Sequence, residues 1–209
     1  MAAKKKVAKK AVAKKSLAKK RSKPAAKKSA KPATVSGENP HADGKWASAF
    51  TPRAPGERRH WLLKSEPSTF SFDDLLRAPN RTTFWNGIRN FAARNFIRDG
   101  MQVGDRAFFY HSSTDPQAIV GICEIVSEAY ADSTAFDPSN GGYDENSKRD
   151  APTWFMMDVR AVAQITKPVT LQAMKARKEL EQMALLRIGR LSVTPVTAAE
   201  WETITKMAS

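Results

Sequence analysis

The sequence predicts an α+β fold, a small and strongly bent sheet or barrel flanked by short helices and preceded by a disordered cationic arm. Three observations predict it. Charge is segregated: residues 1–35 hold 14 Lys or Arg and no acid, which leaves 21 bases against 21 acids in the rest of the 209-residue chain. Aromatic residues are segregated the other way, all five Trp and ten Phe standing at or beyond Trp46. The aromatic part consists of short apolar runs separated by Pro, Gly, Asn and Asp turn signals, without a regular strand–helix alternation. The chain therefore divides into an arm (1–35), a Pro- and Gly-rich linker (36–57) and a body (58–209) long enough for one core.

The arm reads AAKKKVAKKAVAKKSLAKKRSKPAAKKSAKP over residues 2–33. With no aromatic residue and a dense positive charge it buries too little surface to fold alone. Ala and Lys favour helix, so the part before Pro24 is expected to turn helical once an anion neutralises its repulsion. In the linker, Trp46 and Phe50 are expected to dock on the body. His60–Lys64 (HWLLK) is a short apolar strand stopped by Pro67. Ser71 caps a helix over Phe72–Arg77, with Asp73 and Asp74 where the helix dipole favours acids. Asn86-Gly87 marks a turn, and Phe91–Arg98 a second short helix closed by Gly100. Gly104-Asp105 introduces a strand over Arg106–His111. A second strand follows Asp115-Pro116 over Ala118–Ala129, and a third spans Trp154–Thr166 after a polar loop. Leu171–Met183 has helical composition, Ser192–Val196 is a short strand, and Thr197 caps a last helix over Ala198–Met207.

Several classes are excluded by the same residues. The single Cys123 permits neither an internal disulfide nor a Cys-rich zinc site, which points to a reducing compartment: cytoplasm or nucleoid, or the nucleus in a eukaryote. Inside Ile119–Val126 it reads as a small core residue. No apolar run approaches the roughly 18 residues of a membrane span, and the basic N-terminus lacks the apolar stretch of a secretory signal, so no membrane partner is expected. His41, His60 and His111 stand at no metal-ligand spacing, and one cysteine rules out a His/Cys/Cys deaminase centre. The GxGxxG, GxxxxGK[ST] and GxSxG patterns are absent. The acids and glycines of Asp137–Asp150 miss the spacing of a calcium loop and read as a solvated loop. No catalytic residue, metal ligand or cofactor is assigned, the protein is expected not to be an enzyme, and a monomer is assumed.

Polyanion chemistry remains. The arm resembles in composition the Lys/Ala/Pro tails of linker-histone-like proteins, which supports association with nucleic-acid phosphates. A solubilising tail, or a binder of any polyanion, is the other reading of that composition. In the body, polar residues crowd among aromatics. WLLKSEP puts Lys64, Ser65 and Glu66 where a strand ends. FWNGIRNFAARNF gathers Trp85, Asn86, Gly87, Arg89, Asn90, Arg94 and Asn95, and FFYHSS delivers His111 and Ser112 to a strand edge. An aromatic plate, amides and hydroxyls for a base edge, and cations for flanking phosphates are the ingredients of binding to unstacked bases. Composition alone leaves the opposite reading open, in which Trp61 and Trp85 are core and the Arg/Asn run caps helices and pairs with acids.

The order of the blocks carries more than any one of them. WLLKSEP, FWNGIRNFAARNF, DRAFFYHSS, IVGICEIV, DPSNGGYD, TWFMMDVRAV and GRLSVTPVTAAEW, collinear from Arg59 to Met207, resemble the EVE domain family. The resemblance implies a PUA-like fold, a small, strongly bent β-barrel with flanking helices. It further implies a non-enzymatic pocket for a flipped, modified base, with modified cytosine in DNA favoured. An RNA-binding module, or a chromatin-associated protein without base readout, is the alternative. Carried onto this chain, the resemblance makes Trp85 the stacking wall and Trp61 an internal support. Lys64, Ser65 and Glu66 form the rim, and Asn86, Gly87, Arg89 and Asn90 the mouth. His111 and Ser112 face the pocket, and Arg190, Leu191 and Ser192 close it. Trp154 is placed in the core, and Arg94 and Asn95 act as struts. One block departs from the family: where relatives read DP.S.YYD, this chain has Gly141-Gly142-Tyr143 and lacks the first Tyr.

If half the arm's charges engage duplex phosphates, affinity for DNA falls by about 10³–10⁵ between roughly 50 and 200 mM salt. Titrations of the full chain and of a chain lacking residues 1–35 check this, the shortened chain losing most of the salt dependence.

Overall fold

The computed structural model describes His41 and residues 44–209. The cationic arm, with linker residues 36–40, 42 and 43, lies outside the described residues. Successive residues of a strand point to opposite faces, yet in β1 (His60–Ser65) Trp61, Leu62 and Leu63 are all fully buried. Such a strand has to lie within a sheet covered on both sides. It runs parallel to β3 (Arg106–His111) and antiparallel to β7 (Val193–Val196). From β3 the sheet continues antiparallel through β4 (Ala118–Ile125) and β6 (Phe155–Thr170) to β2 (Thr82–Trp85). The order is β2-β6-β4-β3-β1-β7, with the two-residue β5 (Tyr130–Ala131) paired to the start of β6.

Each face carries its own core. Trp61, Leu63, Ala107, Phe109 and Cys123 point to one side, under α1 (Phe72–Arg77) and α2 (Phe91–Asn95), which runs on into a π turn over Phe96–Gly100. Leu62, Phe108, Tyr110 and Ile119 point to the other, under α3 (Leu171–Lys175), α4 (Ala184–Arg187) and α5 (Ala198–Ala208). Ser71 and Thr197 cap α1 and α5 as expected, each in a reciprocal capping box, worth about 1 kcal/mol apiece. Cys123 is a buried core residue whose thiol is pushed up to about 12 by burial.

Register shifts at Phe109/Tyr110, Ile119/Gly121 and Ile122/Cys123 bend the sheet. Its edges stay apart: among the described residues no ladder joins β2 to β7, so the sheet is bent but the barrel is not closed. Pro168 lies within β6, where the shift between Ile119 and Gly121 removes the demand for its missing N–H.

The sequence expectations differ from the structure at five elements. The four-residue β2 was not expected, because Pro79, Asn80 and Arg81 precede it with turn character and its pairing partner lies 70 or more residues away. The strand expected over Ala118–Ala129 ends at Ile125, and the one expected over Trp154–Thr166 runs on to Thr170. The helix expected over Phe91–Arg98 is α-helical only to Asn95. The helix expected over Leu171–Met183 is broken into α3 and a 3-10 turn at Lys178–Leu180. At 100° per residue, Met174 would leave a straight helix on the side opposite Leu180 and Met183. All three are fully buried, and breaking the helix brings them to one core.

Trp46 and Phe50 do dock, their rings 5.7 and 5.5 Å from that of Phe96. The segment they belong to is pinned by Asp105, which is 1% exposed. This carboxylate accepts from both Arg53 Nη atoms, from Trp61 Nε1 at 2.8 Å, and from the backbone N–H groups of Arg59 and Gln102 at 3.0 and 3.1 Å. Burial acts to raise its pKa, but these donors outweigh burial and hold it below the usual carboxylate range. A carboxyl whose pKa is lower folded than unfolded contributes stability above about pH 4 and loses it as pH falls through the folded value. Urea unfolding from pH 7 down to pH 3 is expected to show a falling midpoint, with a shallower fall in Asp105→Asn. At pH 7 that variant is expected to lose about 3–5 kcal/mol, because Arg53 is left buried without its counter-charge.

Candidate nucleic-acid interface

β1 and β3 run parallel and end together, Ser65 lying opposite His111. Alternation then divides the residues at this edge between the two faces. Ser65 and His111 lie with Trp61, Leu63 and Phe109 on the face of α1 and α2. Lys64 and Ser112 lie with Leu62 and Tyr110 on the other. The residues that the sequence groups into one pocket thus fall in two places.

On the α1–α2 face most of them are committed to the fold. The Trp85 ring is 7% exposed and meets Phe109 edge-on, 5.3 Å between centroids. It sits in the core and presents no stacking wall, the outcome that its expected role does not survive. Ser65 Oγ donates to the carbonyl of Phe70 at 2.6 Å. His111 Nε2 accepts the Phe72 N–H at 3.1 Å, which fixes the proton on Nδ1. Burial lowers the His111 pKa against the opposing pull of Asp73. Both side chains therefore hold the entry to α1.

The WNGIRN turn is built around Asp132, a fully buried acid at the start of a 3-10 turn over Ser133–Phe136. Gly87 adopts φ +77, with nothing within 4 Å of where a Cβ would stand, and its N–H donates to Asp132 Oδ2 at 2.9 Å. Arg89 Nη1 donates to the same oxygen at 2.7 Å and to the Ile88 carbonyl at 3.0 Å. Arg89 Nε reaches the Gly142 carbonyl at 2.7 Å, and Nη2 reaches Thr134 Oγ1 at 3.0 Å. Burial acts to raise the Asp132 pKa, but the bonds from Arg89, Thr134 and Gly87 overcome it and the pKa is lowered. Four of the five guanidinium N–H groups are thus spent inside the protein, and Arg89 is a strut. Gly142 packs closely here: a Cβ on that residue would stand 2.7 Å from Arg89 Nη2, so a side chain there would shift the guanidinium.

What this face does present is aromatic. Phe91, 60% exposed, stacks on Trp154 at 5.0 Å, with the Arg94 guanidinium 4.9 Å from the Phe91 ring and that of Arg89 5.5 Å from Trp154. Trp154 is buried, as expected, and its Nε1 donates to Asp144 at 2.6 Å, the first cause of that carboxyl's lowered pKa. Arg94 and Asn95 are struts: Arg94 donates to Asn95 Oδ1 and to the Thr153 carbonyl. Asn90 caps α2 through Oδ1, which leaves its amide N–H groups unused, and the Asn86 amide has no partner among the described residues. Tyr143, exposed, follows the Gly142 that receives Arg89. The groups open to a ligand are therefore the amides of Asn86 and Asn90 and the rings of Phe91 and Tyr143.

The rest gather on the Lys64 side of these strand ends, although Leu191 packs into the α1–α2 core. Lys64, Glu66, Ser112, Arg190, Leu191 and Ser192 line one cleft of about 510 Å³. Ser112 N–H donates to the Ser65 carbonyl and Lys64 N–H to the Ser192 carbonyl, both at 2.8 Å, which clamps the strand ends around it. Trp85, Asn86, Gly87, Arg89, Asn90, Ser65 and His111 are not part of it. Asp132, Phe91 and Tyr143 were missed as contributors. The sequence does hold a signal for Asp132, since Asp-Ser-Thr is a turn-forming run. Exposure of Phe91 and Tyr143 has no local signature. Among the described residues no cluster of three or more His, Cys, Asp or Glu is placed to hold a metal ion, and no helix is long and apolar enough to cross a membrane.

A bent mixed sheet covered on both faces by short helices, its functional blocks at the shared end of two parallel strands, defines a PUA-like domain. The chain belongs to the EVE domain family, whose model matches residues 59–207. It is 42% identical over 160 residues to thymocyte nuclear protein 1 of Gallus gallus, covering 68% of this chain and 66% of that protein. To the Homo sapiens protein it is 40% identical, covering 68% and 71%. The match thus spans about two thirds of the length of these relatives. Among solved structures, a hypothetical protein from Leishmania major matches with a TM-score of 0.70 and 44% identity over 75% of this chain and 97% of that one. The human THYN1 protein in complex with 5-methylcytosine containing DNA matches with a TM-score of 0.70 and 38% identity, over 72% and 98%.

Asp132→Ala is expected to leave Arg89 half-buried and unpaired, at a cost of about 3–5 kcal/mol. Amide hydrogen exchange at Gly87, whose N–H loses its acceptor, should rise with it. Trp85→Ala is expected to cost about 3–5 kcal/mol in urea unfolding, the value for a buried aromatic.

Proposed function

We propose that this protein binds DNA and reads a modified base, 5-methylcytosine being the favoured ligand, without catalysing a reaction. The observation that carries this reading is the likeness, over 98% of the compared chain, to the human THYN1 protein in complex with 5-methylcytosine containing DNA. The geometry supports it at the WNGIRN turn. A base extruded from its stack, at a cost of a few kcal/mol, enters beside Gly87, where the backbone is bare. Asn86 and Asn90 offer amides to its edge, and Ser65 and His111 hold the neighbouring loop. Phe91 and Tyr143 provide the stacking surface, worth about 1–3 kcal/mol per base, while Trp85 backs the site from the core. Arg89 and Asp132 keep the turn in shape. The cationic arm adds affinity through backbone phosphates without discrimination.

One methyl group buried in the site is worth about 0.8 kcal/mol, or roughly fourfold in affinity. Fluorescence anisotropy of the full chain with duplexes differing only in one 5-methylcytosine is expected to show that preference. Asn86→Ala is expected to weaken binding about fivefold, the worth of one net hydrogen bond of ~1 kcal/mol. Equal affinity for methylated and unmethylated duplexes would overturn the reading, as would stronger binding to the matching RNA.

A further inference from the structure

The cleft on the Lys64 side of the strand ends shares no lining residue with the WNGIRN turn, and its walls mix Leu171, Leu185 and Leu191 with cations. Lys64 is half-buried in it, and its ammonium makes a single hydrogen bond, to the Gly189 carbonyl at 3.0 Å. No carboxylate pairs with it among the described residues. Burial lowers its pKa, the sign of a cation short of solvent. Lys175 and Arg190, both exposed and without a described carboxylate partner, stand on the same walls, so three cations line a cleft with the single carboxylate of Glu66, which accepts from Ser113 Oγ at 2.9 Å. Two of the three N–H donors of Lys64 thus remain unspent. A charge held half out of water without a partner is costly, and an anion in the cleft would remove that cost. The Ser112 hydroxyl in the cleft donates to the Ser65 carbonyl at 3.3 Å, and the cleft volume of about 510 Å³ exceeds the need of a simple ion.

We infer that this cleft is a phosphate subsite for nucleotides, and that it takes the backbone of the strand whose base is read on the other face of the sheet. The second half of this inference rests on the function proposed above. Lys64 and Ser65 are neighbours on β1 and point to opposite faces, so a strand crossing this edge sets a base on the Ser65 side and a phosphate on the Lys64 side. The same chemistry serves a free nucleotide.

The test uses the full chain and its Lys64→Met variant, which keeps the stem and removes the charge. Cytidine 5′-monophosphate titrated into ¹⁵N-labelled protein is expected to shift the amides of Ser112, Gly189 and Ser192, and the variant is expected to lose those shifts. In duplex titrations the slope of log affinity against log salt is expected to fall by about 0.9 in the variant, one phosphate contact. Thermal melting of the variant is expected to be unchanged or raised, because an unpaired half-buried charge has gone. A lowered melting temperature with unchanged slope would assign Lys64 a purely structural role and overturn the inference. Nucleotide shifts with an unchanged slope would leave a free-nucleotide site and overturn the strand subsite. Absence of both overturns the whole inference. The ratio of affinities for methylated and unmethylated duplex, measured on the unaltered chain, judges the base-reading proposal separately.

Discussion

Adjacent residues of a strand cannot share a face, and the arrangement of polar groups at the candidate edge of this protein follows from that constraint. β1 and β3 are parallel, buried on both sides and cut off at the same level, so their last residues are dealt alternately to two surfaces. Ser65 and His111 go to one, Lys64 and Ser112 to the other. A sequence block such as KSE is therefore not one cluster of polar groups but two, back to back across a single layer of backbone. A separate core packs against each side of the sheet.

Two buried carboxylates then fix what the sheet alone leaves free. Asp105 gathers Arg53, Arg59, Trp61 and Gln102 and ties the segment before β1 to the strand that follows it. Asp132 does the same for the WNGIRN turn, joining Gly87, Arg89 and Thr134 from two distant stretches of chain. In both, the ionised form is held by donors that outweigh the cost of burial. Each acid converts irregular backbone, which has no ladder of its own, into a defined shape.

Legibility in the sequence tracked the range of the interaction. The Ser71 and Thr197 caps, the strand over Arg106–His111 and the docking of Trp46 and Phe50 rest on local chemistry or plain apolarity, and all were readable. β2 rests on pairing with a strand far along the chain, and the break after α3 on a core that Met174, Leu180 and Met183 share, so neither was readable. At the site, residue type suggested the right neighbourhood but not the state of each group. Trp85 and Arg89 look like ligand contacts because Trp and Arg so often are. Only the fold shows that the ring of one and the donors of the other are already engaged.

The contact between Arg89 and Gly142 links two positions that lie 53 residues apart. A side chain at 142 displaces the guanidinium, and a shortened residue at 89 abandons the carbonyl of 142 and loosens its loop. The two positions thus share one small volume, and a change at either alters the space left to the other. A bulkier residue put at 142 would move the guanidinium off Asp132, Ile88 and Thr134 as well, so a change in the outer loop reaches the buried acid.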